Sequence, residues 1–358
     1  MSEEIINKLF SNKIKQFIFI YTPPKVGSTT LVSSLRISLS NSFNVIHIHD
    51  DIMLNVLTGI KDVTVNQIIN YLSQQGNIIY VIDVYRSPIE RKMSEFFEKI
   101  SPYHFNNTEE NINKYSIQRV SDRFNKLFPH LAIGDHYFDK YDIENPILFD
   151  FNKKYTIQEV NNIKYIKLRL CDSKIWNCIL SEIFKTEIIL INDYQTNDKG
   201  ISDLYKKFKE EYKLPLNYFE LIKNCKYLNF YFSEEERNQY LHNWSKNLTD
   251  NFIPYTKDEY TFYMNLYLEN QYINDIQIDH YIDNGCFCKH CTGKRKELYF
   301  KYKAGERRFE KIIHREVINE VKTEKINEIN NKLKNMINKK LSKAKFKPKQ
   351  FKLNVNNT

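Results

Sequence analysis

Two short apolar runs constrain this chain more than anything else in it. Phe17-Ile18-Phe19-Ile20-Tyr21 and Ile78 through Tyr85 consist almost wholly of β-branched and aromatic residues, with little polar alternation. Runs of that length and type form strands buried on both faces, which need helices above and below them. Thr22-Pro23-Pro24 breaks the first run and Pro88 follows the second. After the first break, Leu31, Val32, Leu35 and Leu39 recur at helical spacing, with Ser28 or Thr29 placed to cap. After the second, Pro88 suits a first helical turn and Ile89 to Ile100 continues it. Asn44 to Ile48 reads as a further strand, and Val65 to Ser73 as a helix. Strand, loop, helix, strand, helix, strand, loop, helix is the alternation of a parallel α/β sheet. In such sheets ligands sit beyond the carboxyl ends of the strands, where both proline-marked loops lie.

Beyond Asn106 the pattern turns mainly helical. A strand pair is expected at Pro146 to Tyr155 and Ile163 to Leu170, and another strand at Ile188-Ile189-Leu190-Ile191-Asn192. Ser233, followed by Glu234, Glu235 and Glu236, marks a capped helix running to Trp244. A Tyr-rich helical stretch is expected to about Ile282, and a long helix through Ile312, Val317, Val321, Leu333 and Leu341. The reading divides the chain into an α/β domain over 1–247, a helical extension with a cysteine cluster over 248–293, and a basic helical tail over 294–358 whose end is expected to be disordered.

Charge sharpens that division. Residues 294–358 hold 20 Lys and Arg against 7 Glu, within a net charge of +9, so the remainder is mildly acidic. A solvated Lys-rich helix is the expected reading of the tail, with contact to nucleic acid or another acidic polymer as the alternative. No apolar run approaches the roughly 20 residues of a membrane span, and Met1 to Gln16 is too polar for a secretory signal. A soluble, cytoplasmic protein is expected. Three of the 6 cysteines crowd into Cys286-Phe287-Cys288-Lys289-His290-Cys291. Free thiols are the expected state. Zinc held by Cys286, Cys288 and Cys291 is the alternative, with a further ligand such as His280.

Glycine is scarce, 8 in 358, so a glycine kept in a loop is informative. Gly27 stands in Thr22-Pro23-Pro24-Lys25-Val26-Gly27-Ser28-Thr29-Thr30, between the first strand and its helix. Free backbone N–H groups and a positive helix end converge there, an arrangement suited to phosphate. Lys25 precedes the glycine, unlike the GxxxxGK[ST] order of a P-loop, and would reach the bridging side of a 5′-phosphate. In the second loop Arg86 leaves the strand, and Ser94 lies two turns into the helix. A guanidinium and a hydroxyl so placed suit a second phosphate.

This pair of loops resembles the sulfotransferases that use 3′-phosphoadenylyl sulfate (PAPS). There a Pro-Lys-x-Gly-[Ser/Thr]-Thr loop takes the 5′-phosphosulfate, matched here by Lys25, Val26, Gly27, Ser28, Thr29 and Thr30. An Arg followed eight residues later by Ser takes the 3′-phosphate, matched by Arg86 and Ser94. Arg-Ser-Pro-Ile-Glu-Arg is similar to the carbohydrate-acting branch. Tyr137-Phe138-Asp139, Phe230 through Glu236 and Trp244 look like the related capsular polysaccharide synthesis family. The resemblance spans roughly residues 14–247. It implies a P-loop-like parallel sheet flanked by helices, PAPS as the nucleotide donor, a carbohydrate acceptor and sulfuryl transfer without a catalytic metal. No Arg-Lys-Gly-x-x-Gly loop occurs, so the resemblance assigns no adenine contacts.

Sulfuryl transfer needs a base for the acceptor hydroxyl. His47 and His49 share a strand face near the crevice, with Asp50 or Asp51 placed to orient one of them. His49, nearer the strand's carboxyl end, is the first choice, His47 the second, and Glu90 and Glu95 the fallback carboxylates. Two rivals remain. One is a nucleotide kinase, with Asp83 as a Mg²⁺-linked carboxylate. The other is a nucleotide- or glycan-binding module without catalysis.

Overall fold

The computed structural model describes residues 14–58, 63–105, 108–191 and 200–261. Both apolar runs form strands at the middle of one sheet. Strands β1 (Gln16–Tyr21), β2 (Asn44–Ile48), β3 (Ile78–Tyr85), β4 (Tyr155–Val160) and β5 (Ile163–Arg169) lie in the order β2-β1-β3-β5-β4. All neighbours are parallel except β4, which runs antiparallel to β5 at the edge. The chain is therefore α/β, with a mostly parallel five-stranded sheet flanked by helices.

Alternate side chains of each strand face opposite layers. Ile18, Ile20, Ile82, Val84, Ile166 and Leu168 pack against helix α1 (Ser28–Leu39). Phe17, Phe19, Tyr21, Ile79 and Val81 pack against α2 (Val65–Gln74), whose Thr64 capping box closes its first turn. A third core belongs to the helical lobe built on α3 (Pro88–Lys99), where Phe96 and Phe97 meet Phe124, Phe128 and Phe208. The body runs on past residue 247: Leu248–Thr249 pairs with Leu214–Pro215, and the buried Tyr255 accepts from Arg123.

The strand order places the crevice. From β1 the chain goes to β2 on one side, then crosses to β3 on the other. Connections thus diverge between β1 and β3, and a ligand site is expected beyond their carboxyl ends.

Three local expectations are corrected. No strand forms at 188–191. The backbone N–H groups of Ile188, Ile189 and Ile191 instead donate to Ser181, Ser38 and Ser34, so this run lies on the helical layer. The strand expected at 146–155 begins only at Tyr155. Asp150 accepts from the N–H groups of Asn152 and Lys153, and Lys154 has φ 65°, so a turn occupies the segment. Neither Ser28 nor Thr29 caps α1; Gly27, at φ 86°, holds that position with no side-chain hydrogen bond. The helix expected from Ser233 does form, as a later helix over Glu234–Ser245 with a capping box between Ser233 and Glu236.

Cys286, Cys288, Cys291, the long C-terminal helix and the basic tail lie outside the described residues. Among the described residues no helix is long and apolar enough to cross a membrane, and no group of three His, Cys, Asp or Glu is placed to hold a metal ion.

Candidate functional site

The first loop is held from below and turned from within. Val26 is fully buried among the α1 contacts, so its side chain anchors the loop to the core. Lys25 has φ 67° and Gly27 φ 86°, left-handed conformations that only glycine adopts without strain. A Cβ on Gly27 would also stand 2.8 Å from Leu170 Cδ1 and 3.2 Å from the Trp176 ring. A left-handed turn therefore leads into a helix start that carries no side-chain cap.

The second loop is tied directly to the first. Arg86 Nη1 donates to the Lys25 carbonyl at 2.8 Å. The Tyr205 phenol, raised by burial, lies against the same guanidinium, which pulls it the other way. Lys25 Nζ stands 3.1 Å from Glu98 Oε1 on α3. Ser94 and Glu98 are one helical turn apart and share a face of α3. Pairing with Glu98 therefore brings the lysine over the face that carries Ser94, itself largely buried. Lys25 and Arg86 thus meet beyond the carboxyl ends of β1 and β3, and Ser94 lies on α3 one turn before Glu98, the partner of Lys25.

His49 joins them from the end of β2. Its Nδ1 lies 2.7 Å from the carbonyl oxygen of Thr22. A carbonyl only accepts, so Nδ1 carries the proton and Nε2 keeps its lone pair. Burial pushes the His49 imidazole below the ordinary histidine value. The Thr22 bond and the charges of Asp50 and Glu98 oppose that fall, and Lys25 adds to it. The His49 imidazole is thus neutral at pH 7. His47 stands beside it, ring centroids 4.5 Å apart and edge to face. For His49, the expectation that Asp50 or Asp51 orients the ring is corrected. Asp50 accepts from the Met53 N–H and Asp51 from the Val65 N–H, each closing a helix start, while a backbone carbonyl orients His49.

Both fallback bases are engaged. Glu90 accepts from Tyr240 at 2.8 Å and from Trp244 Nε1 at 3.3 Å, and burial raises it. Glu95 accepts from Lys99 and from the Ala132 N–H. Asp83 is wholly buried, 2.6 Å from Lys167 Nζ, and accepts from the N–H groups of Val84 and Tyr137. That arrangement weighs against a metal-linked role in phosphoryl transfer. The same lysine lies 2.5 Å from Asp135, which also accepts from Tyr231. Glu236 meets Arg169 at 2.6 Å. The segments around Tyr137, Tyr231 and Glu236 are therefore tied to the ends of β3 and β5, and Trp244 to α3 through Glu90.

Sequence reasoning missed Glu98, Tyr205 and the Thr22 carbonyl. The spacing of Glu98 from Ser94 was visible, but its pairing with Lys25 depends on how α3 crosses the sheet. Comparison with known protein families, curated proteins and solved structures finds no match to this chain.

Proposed function

We propose that this chain is a sulfotransferase, moving a sulfuryl group from PAPS to a hydroxyl of a carbohydrate acceptor. The observation that carries the reading is the hydrogen bond joining Arg86 to the Lys25 loop at the sheet's switch point, with a neutral His49 beside it. The first loop suits the phosphosulfate end of the donor, and Arg86 with Ser94 suits its 3′-phosphate. PAPS, as substrate, supplies a sulfuryl group on a good leaving phosphate. The acceptor oxygen bonds sulfur as the sulfur–oxygen bond to phosphate breaks, and the electron pair leaves with 3′,5′-adenosine bisphosphate. His49 Nε2 takes the acceptor's proton, and Lys25 steadies the charge on the departing oxygen. The choice of a sugar acceptor rests on the Arg-Ser-Pro-Ile-Glu-Arg run.

Calorimetric titration with 3′,5′-adenosine bisphosphate, ADP and ATP is the first test, followed by labelled PAPS with a panel of glycans. Tighter binding of the bisphosphate than of ADP, and transfer lost in His49→Ala, are the expected results. Preference for ATP would favour a kinase. Binding without transfer to any acceptor would favour the non-catalytic module.

A further inference from the structure

One ion pair crosses from the first loop to α3, where Lys25 Nζ stands 3.1 Å from Glu98 Oε1. Its carboxylate differs from the other two on that helix. Glu90 is held by Tyr240 and Trp244, and Glu95 by Lys99 and the Ala132 N–H. Among the described residues Glu98 makes no hydrogen bond or ion pair besides the one to Lys25. Its side chain is also the more open, 36% exposed against 16% for Glu95.

The backbones on both sides are fixed. Arg86 Nη1 holds the Lys25 carbonyl, and the next residue, Val26, is fully buried. Glu98 follows Phe96 and Phe97, both packed into the core of the helical lobe. The lysine's four-carbon stem and its ammonium keep their rotational freedom. Lys25 can therefore change partners while the loop stays where it is.

The pair also lies within electrostatic reach of the base. Burial sets the His49 imidazole low and the Thr22 bond and Asp50 oppose that; beyond these, Glu98 raises it and Lys25 lowers it. An anion drawn to Lys25 thus meets a carboxylate already there, and binding it means giving up Glu98. That exchange weakens donor and product alike, and it tells most at release. Once the sulfuryl group has left, the nucleotide keeps a 5′-phosphate dianion facing the ammonium. We propose that Glu98 is a release device, which competes with this phosphate for Lys25 and retakes the ammonium as the nucleotide product departs. The identity of the anion rests on the sulfotransferase reading; the competition rests on the ion pair.

Calorimetry with the full chain and 3′,5′-adenosine bisphosphate reads the competition directly. An ion pair of this exposure shifts an equilibrium only a few-fold, so Glu98→Gln should bind the bisphosphate about threefold tighter. Product inhibition by the bisphosphate should strengthen by the same factor. In a Lys25→Ala background, Glu98→Gln should leave the affinity nearly unchanged, since no ammonium remains to compete for. Equal tightening in both backgrounds would make Glu98 a repelling charge and overturn the proposal. Unchanged or weaker binding to Glu98→Gln would overturn it too. If wild type binds no bisphosphate, the sulfotransferase reading fails and pyrophosphate becomes the probe. Tightening that depends on Lys25 then upholds the competition, and its absence overturns it.

Discussion

Two lysine–carboxylate groupings stand at the same end of the sheet, and they are built for opposite purposes. Lys167, on β5, is sealed between Asp83 and Asp135, with side-chain exposures of 1%, 0% and 2%. Lys25, on the first loop, meets Glu98 with exposures of 16% and 36%. In the first, water cannot replace a lost partner, so each charge depends on the others. In the second, solvent screens the pair, and the lysine can exchange a carboxylate for another anion at small cost. Burial, more than residue type, separates the brace from the site.

The largest effect should come from breaking the brace. Lys167→Met leaves two buried carboxylates facing each other and should destabilise the fold by about 3–5 kcal/mol. Urea unfolding of wild type and variant measures this. A loss below about 1 kcal/mol would mean that the network is no more structural than the Lys25 pair.

Acid probes the seam between brace and site. Burial pushes His136 down to about 4, against the pull of its bond to the His49 carbonyl. The unfolded imidazole protonates near 6.5, so below that pH the unfolded chain binds the extra proton. The stabilisation is complete above pH 6.5 and is lost as pH falls to about 4, amounting to roughly 2–4 kcal/mol for this residue. His136→Gln should flatten that part of the stability–pH curve. An unchanged slope would assign acid sensitivity elsewhere.

Next in size is Arg86→Ala. One charge-assisted contact is worth ~1.5–3 kcal/mol, so binding of a 3′-phosphorylated adenosine nucleotide should fall more than tenfold, with its 3′-hydroxyl counterpart little affected. Equal loss for both ligands would make Arg86 a loop brace through its bond to the Lys25 carbonyl.

The smallest expected effect sharpens the comparison most. Lys25→Ala should change stability by less than about 1 kcal/mol, because its pair is partly solvated, and should abolish sulfuryl transfer. A large melting shift would place Lys25 with Lys167 as a structural lysine.

From the chain alone the three parallel strands β1, β2 and β3 and the helices after them can be read in order, while the edge strand β4 is placed too early and 188–191 reads as a strand. Unbroken apolar runs such as Phe17 to Tyr21 have few alternatives to a strand covered on both faces, and proline with Gly27 punctuates them locally. The pairing of the Lys25 loop with Arg86 was legible for the same reason, since each follows a strand and parallel strands bring their carboxyl ends together. Tertiary structure decided which charges do which work. Asp83 and Lys167 are 84 residues apart and Lys25 and Glu98 are 73 apart, and nothing local distinguishes a lysine that will be sealed from one left at a rim. The same holds for Ile188 to Ile191, whose apolar run suits a strand. Serines on two helices satisfied its N–H groups, and it went to the helical layer. His49 shows both halves: its place at a strand end was read from the chain, while its proton was placed by the Thr22 carbonyl, which only the packing of β1 against β2 brings within 2.7 Å.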